Sequence, residues 1–167
     1  TKVDSCRYGP DGKVQKTPVV TPPPPEKKRG LKGKIAASKM EDMKEELEAS
    51  AALVQRYVPP AADDIQVVIN AGTASISQAG PEAVAFTFPG YAKQGDALKI
   101  TFDKAITALR QIDVQTWLNK PEEIVTLHVT MQSMPGGPSF PGTILMTIAK
   151  SQMQVRTTKS NYQKLAM

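Results

Sequence analysis

Hydrophobic patterning along this chain changes twice. It is absent from residues 1–34, has a step of three or four over residues 38–58, and settles to a period of two from residue 73 onward. The middle stretch predicts a helix. Met40, Met43, Leu47, Ala51, Val54 and Tyr57 fall on one stripe, with Glu41, Asp42, Lys44, Glu45, Glu46 and Glu48 on the other side. Ser38 followed by Glu41 has the spacing of a capping box. Pro59-Pro60 ends the helix, because proline lacks an N–H and pushes the preceding residue out of helical backbone. Residues 61–72 read as a short helix begun by Asp63 or Asp64 and stopped at Gly72, although Val67-Val68-Ile69 also suits a strand.

Seven segments then alternate. Residues 73–77 place Ala74 and Ile76 inward, 83–88 place Val84, Phe86 and Phe88, and 97–103 place Leu98, Ile100 and Phe102. Residues 111–118 place Ile112, Val114, Thr116 and Leu118 inward, and 123–132 place Val125, Leu127, Val129 and Met131. Residues 143–149 (Ile144, Met146, Ile148) and 152–158 (Met153, Val155, Thr157) complete the set. Gly80-Pro81, Gly95-Asp96, Asn119-Lys120-Pro121 and Pro135-Gly136-Gly137-Pro138 supply turns between most of them. Short strands with one polar face imply an antiparallel meander, wet on one side. The helix stripe is the natural cover for the apolar side. The expected fold is α+β: a curved antiparallel β-meander with one main N-terminal helix packed across it, preceded by an extended proline-rich arm.

Charge separates the arm from the domain. Residues 1–34 hold nine Lys/Arg against three Asp/Glu, whereas residues 35–167 hold twelve against thirteen. Residues 35–167 therefore form the expected single domain, with its helix at 38–58 and strands between about 73 and 158. Within the arm, Tyr8–Lys13 has turn chemistry, and Val14, Val19 and Val20 around Thr17-Pro18 suggest a short edge strand. Pro22, Pro23, Pro24 and Pro25 favour polyproline II, a stiff and solvated spacer. Lys27, Lys28 and Arg29 follow as a basic cluster, and with the prolines they are the expected partner contacts. No aromatic residue interleaves the cluster, so nucleic acid is not the expected partner. An acidic or aromatic-rich protein surface fits better, with binding weakened by salt.

Catalytic chemistry is sparse. His128 is the only histidine, on the polar side of its strand, and Cys6 is the only cysteine. Neither a zinc site nor an internal disulfide follows from that pair, so no metal and no cofactor is expected. No phosphate-binding glycine loop or nucleophile elbow is present. Asp63-Asp64 and Glu122-Glu123 are explained by capping and solubility. No stretch is apolar over the roughly 18 residues that a membrane span requires. Trp117 stands on a polar strand face, where it marks a contact patch or is covered by a loop or by the arm itself.

Several segments together resemble a family of exported bacterial proteins with no assigned function. They are Arg7–Thr17, Pro22–Pro25 with Lys27–Ile35, Leu53–Pro60, Tyr91–Asp96, Val125–Leu127 and Asn161–Lys164. The resemblance implies a precursor bearing a signal peptide and a mature protein that is periplasmic or extracellular. It implies no catalytic residues. At the level of fold alone, a helix on a curved sheet is similar to the half-barrels of periplasmic lipoprotein carriers. The first functional expectation is thus a non-enzymatic structural or interaction protein of the bacterial envelope or exterior, docking on other protein subunits through its arm. The second is a carrier of lipid or another apolar ligand in a concavity lined by Phe86, Phe88, Leu98, Ile100 and Phe102.

Overall fold

A computed structural model describes residues 2–8, 14–23, 31–133 and 139–163. The fold is α+β, with an open antiparallel meander as its main sheet. The chain divides into two compact units, Thr1–Glu41 and Asp42–Met167.

In the N-terminal unit, β1 (Val3–Tyr8) and β2 (Val14–Val20) pair as an antiparallel hairpin. The strand at 14–20 is the expected one. Its partner was hidden in the sequence, because Asp4, Ser5 and Arg7 interrupt any apolar alternation in 3–8. Pro18 sits opposite Asp4 in the ladder. Val3, Val19 and Val20 are all exposed. The tight turn expected at Tyr8–Lys13 falls largely outside the described residues.

The long helix, α1 (Leu31–Val54), begins seven residues before the expected start at Ser38. Leu31, Lys32, Lys34, Ile35 and the Ala36-Ala37 pair sustain helix, and the local cost of Gly33 is only about 1 kcal/mol. Ser38 is therefore interior and caps nothing. The helix also ends sooner than 58. Arg56 N–H reaches back to the Leu53 carbonyl and Tyr57 N–H to that of Val54, a tightened last turn ahead of Pro59. Its apolar stripe is covered only toward the C-terminus. Leu47, Leu53 and Val54 pack against the core and Ser50 is fully buried, but Met40 and Met43 are exposed. The short helix expected over 61–72 is α2 (Ala62–Asn70), which buries Val68 and half-buries Ile65. Ala61 occupies the N-cap position, with no side-chain cap bond, and Asp63 and Asp64 lie in the first turn. They favour the helix by facing the positive end of its dipole.

The seven-stranded sheet runs in sequence order: β3 (Ser75–Gln78), β4 (Ala83–Pro89), β5 (Ala97–Asp103), β6 (Ala108–Trp117), β7 (Ile124–Ser133), β8 (Ser139–Ile148) and β9 (Met153–Thr158). Register aligns Phe88, Leu98, Val114, Leu127, Met146 and Val155 in one row across six strands. Phe86, Ile100, Ile112, Val129 and Ile144 form the adjacent row on the same face. These rows are the inward positions that alternation predicts, and their middle members are the core. Each buried aliphatic or aromatic side chain there contributes about 1.5–3 kcal/mol.

Two inward positions fail: Thr157, near the end of β9, is exposed, and so is Ile76. Ile76 pairs with Phe86, but it is 69% exposed. It lies on the terminal strand, and nothing among the described residues covers it. Two bulges bend the sheet. Thr101 pairs with Gln111 and Phe102 with Leu109, which leaves Arg110 as the extra residue. Thr130 pairs with Thr143 and Met131 with Pro141, which leaves Gly142 extra in β8. Beyond β9, Lys159 N–H donates to the Gly142 carbonyl and Tyr162 stacks on Phe140, tying the tail back to β8. No described helix is long and apolar enough to cross a membrane.

Candidate functional site

The most constrained polar group in the larger unit is Asp96, at the start of β5 and only 3% exposed. Its Oδ2 accepts three hydrogen bonds: from the Tyr57 hydroxyl at 2.6 Å, Lys93 N–H at 2.9 Å and Ala92 N–H at 3.1 Å. Tyr57 Oη in turn accepts from the Thr116 hydroxyl at 2.9 Å. Tyr57 is fully buried, and its ring lies 5.5 Å from that of Tyr91. The Tyr91 hydroxyl accepts from Ala61 N–H at 2.7 Å. One cluster thus joins the segment after α1, the start of α2, the loop 91–96 and β6. Burial, followed by the hydrogen bond to Asp96, pushes the Tyr57 phenol well above its ordinary range. Burial also raises Tyr91. Asp96 Oδ1 has no partner among the described residues.

This arrangement fixes geometry and offers no approach to a reactant, since both partners of the shortest bond are sealed. Sequence reading took Gly95-Asp96 for an ordinary turn and Tyr57 for a stripe residue.

The same loop accounts for Trp117. Lys93 Nζ stands 3.7 Å from the indole centroid and donates to the Trp117 carbonyl, while Trp117 Nε1 donates to the Gln94 carbonyl at 3.2 Å. Burial against the ring lowers the Lys93 ammonium below its ordinary range. Trp117 is thus half-buried, with the 91–96 loop against its ring. Pro22 and Pro23 are exposed and irregular, whereas Pro24, Pro25, Lys27, Lys28 and Arg29 lie outside the described residues.

The apolar residues considered for a ligand separate into two groups. Phe88, Leu98 and Ile100 are buried in the core. Phe86 and Phe102 are half-buried and meet edge to face at 5.9 Å.

On the polar face, His128 Nδ1 lies 2.6 Å from Asp113 Oδ1, and Gln111 Nε2 donates to Asp113 Oδ2 at 2.6 Å. Thr130 Oγ1 is 3.4 Å from His128 Nε2. The order Asp–His–Thr is that of a proton relay. However, β6 and β7 are both interior strands, with their amides engaged in ladders on either side. The group reads as a surface cross-strand ladder. Among the described residues there is no group of three or more His, Cys, Asp or Glu that could hold a metal ion.

The chain matches no protein-family model, no curated protein and no solved structure at a significant level.

Proposed function

We propose that this protein is a non-enzymatic structural or interaction subunit of the bacterial envelope or exterior, which docks on other protein subunits through its N-terminal unit. The observation that carries this reading is the hairpin β1–β2. It leaves Val3, Val19 and Val20 exposed, and it sits in the 34-residue segment that holds nine Lys/Arg against three Asp/Glu. A two-stranded ribbon is marginal in water by itself. A contact that covers its valines and neutralises its charge stabilises both hairpin and complex. The exported setting rests on the family resemblance. The carrier reading has less support, because Phe88, Leu98 and Ile100 are already packed in the core.

Deleting residues 1–34 tests the proposal. The truncated chain should keep its sheet signature in circular dichroism and lose association in pull-down and sedimentation. Association at the full-length level would refute it.

A further inference from the structure

We propose that β1 of one copy pairs with β3 of a second copy, so that the sheet continues from one molecule into the next. This rests on reading the N-terminal unit as a docking arm, and it assigns the surface on which the arm docks.

The acceptor is a bare sheet edge. β3 ends the seven-stranded sheet, all four of its residues are exposed, and none is charged or proline. Ile76 stands uncovered on its apolar side. Sheet edges are ordinarily blunted by charge, proline or cover, because a row of unpaired N–H and C=O groups invites another strand. The opposite edge follows that rule. β9 carries Arg156, and Lys159 comes directly after it.

The donor is selected by similar chemistry. Of the two hairpin strands, β2 contains Pro18 and so lacks one N–H. β1 has an N–H at every position from Val3 to Tyr8. Adding the hairpin to β3 places it in a larger sheet, where it is no longer marginal.

Charge chooses the same edge. Residues 59–92 build α2, β3 and β4 and contain Asp63, Asp64 and Glu82, with no Lys or Arg. The strongly basic arm is attracted there. At β9 it would meet Arg156, while the nearby Lys150 is already paired with Glu123. Attraction at one edge and repulsion at the other specify a single pairing.

The test uses the full chain and its single native cysteine, Cys6, which is exposed in β1. Ser77→Cys and Gln78→Cys present a thiol on either face of β3. Each is mixed as isotopically light and heavy copies, oxidised with glutathione and mapped by mass spectrometry, with Gln154→Cys on β9 as control. The expected result is a Cys6 link to position 77 or 78 joining light to heavy copies, and no such link to 154. In sedimentation, Ile76→Lys should weaken association at least about tenfold. A monomeric full chain, a link confined to copies of one label, an equal link to 154, or unchanged association of Ile76→Lys would each overturn the pairing. If the cross-link or the Ile76→Lys result fails while deletion of residues 1–34 still abolishes association, the edge assignment fails and the arm reading stands. If the deletion leaves association intact, the arm reading itself fails.

Discussion

Tyr57 donates to Asp96 at 2.6 Å across 39 positions of sequence, inside a site from which water is almost wholly excluded. The bond joins the exit of α1 to the loop that starts β5. It is charge-assisted and buried, so it belongs to the stronger class of protein hydrogen bonds. Removing the hydroxyl in Tyr57→Phe leaves Asp96 with only its two amide donors and Thr116 without its acceptor. The expected loss is about 1.5–3 kcal/mol in urea unfolding, with the ring packing retained.

Alkali should weaken the same cluster. The Tyr57 and Tyr91 phenols are both raised above the ordinary tyrosine value of 10.0, in each case mainly by burial. Above that pH the unfolded chain releases these protons while the native state keeps them, so unfolding gains free energy as pH rises. The contribution is complete below pH 10 and is lost progressively above it. Tyrosinate absorbance should rise in two stages, with the late stage coinciding with the loss of near-ultraviolet circular dichroism. A single ordinary titration of all four tyrosines in the folded protein would contradict this.

Gly95 has φ of +85°, and a Cβ placed there would lie 3.7 Å from Trp117 Nε1, an ordinary contact. Steric crowding is therefore not the obstacle to a side chain; backbone conformation is. Gly95→Ala should cost about 1–2 kcal/mol. Because Gln94 and Lys93 both hold the indole, the emission of the sole tryptophan should shift in the native state.

Gly142 presents the opposite case. A Cβ there would come within 2.6 Å of Gln132 Cγ, across the bulge in β8. Gly142→Ala should destabilise by about 1–3 kcal/mol through overpacking. Gln132→Ala removes all three atoms in the way, so the double variant should recover most of that loss. Additive effects would show that the crowding is not the cause.

The Asp113–His128 pair should contribute little. Its side chains are 31% and 44% exposed, and exposed side-chain pairs of this kind typically contribute about 0.2–1 kcal/mol. A double-mutant cycle with Asp113→Asn and His128→Gln should return a coupling in that range. A larger coupling would mean that the polar face is more than a solvated ladder.

Much of the fold was legible because alternation is local. The inward sets of β4 to β8, with Met153 and Val155 of β9, follow from period two alone, since a one-residue slip would reverse every side chain. Other features depend on distant partners. Asp96 looks like any turn aspartate until Tyr57, 39 residues earlier, closes over it. Ile76 has the pattern of a core residue, yet it lies on the outermost strand, and alternation carries no information about which strand is outermost. The bulges at Arg110 and Gly142 are offsets between two strands, which no single stretch encodes. The early start of α1 shows that a good capping pair does not begin a helix when the residues before it are helix formers themselves.

The hairpin edge and the β3 edge are different parts of one chain, and that difference governs stoichiometry. Each copy carries one donor strand and one acceptor edge, so a contact between two copies leaves one of each unused. Reciprocal exchange satisfies both at once and closes a two-fold dimer. Without that closure, the same contact repeats from copy to copy, and the product is a linear polymer whose length grows with concentration.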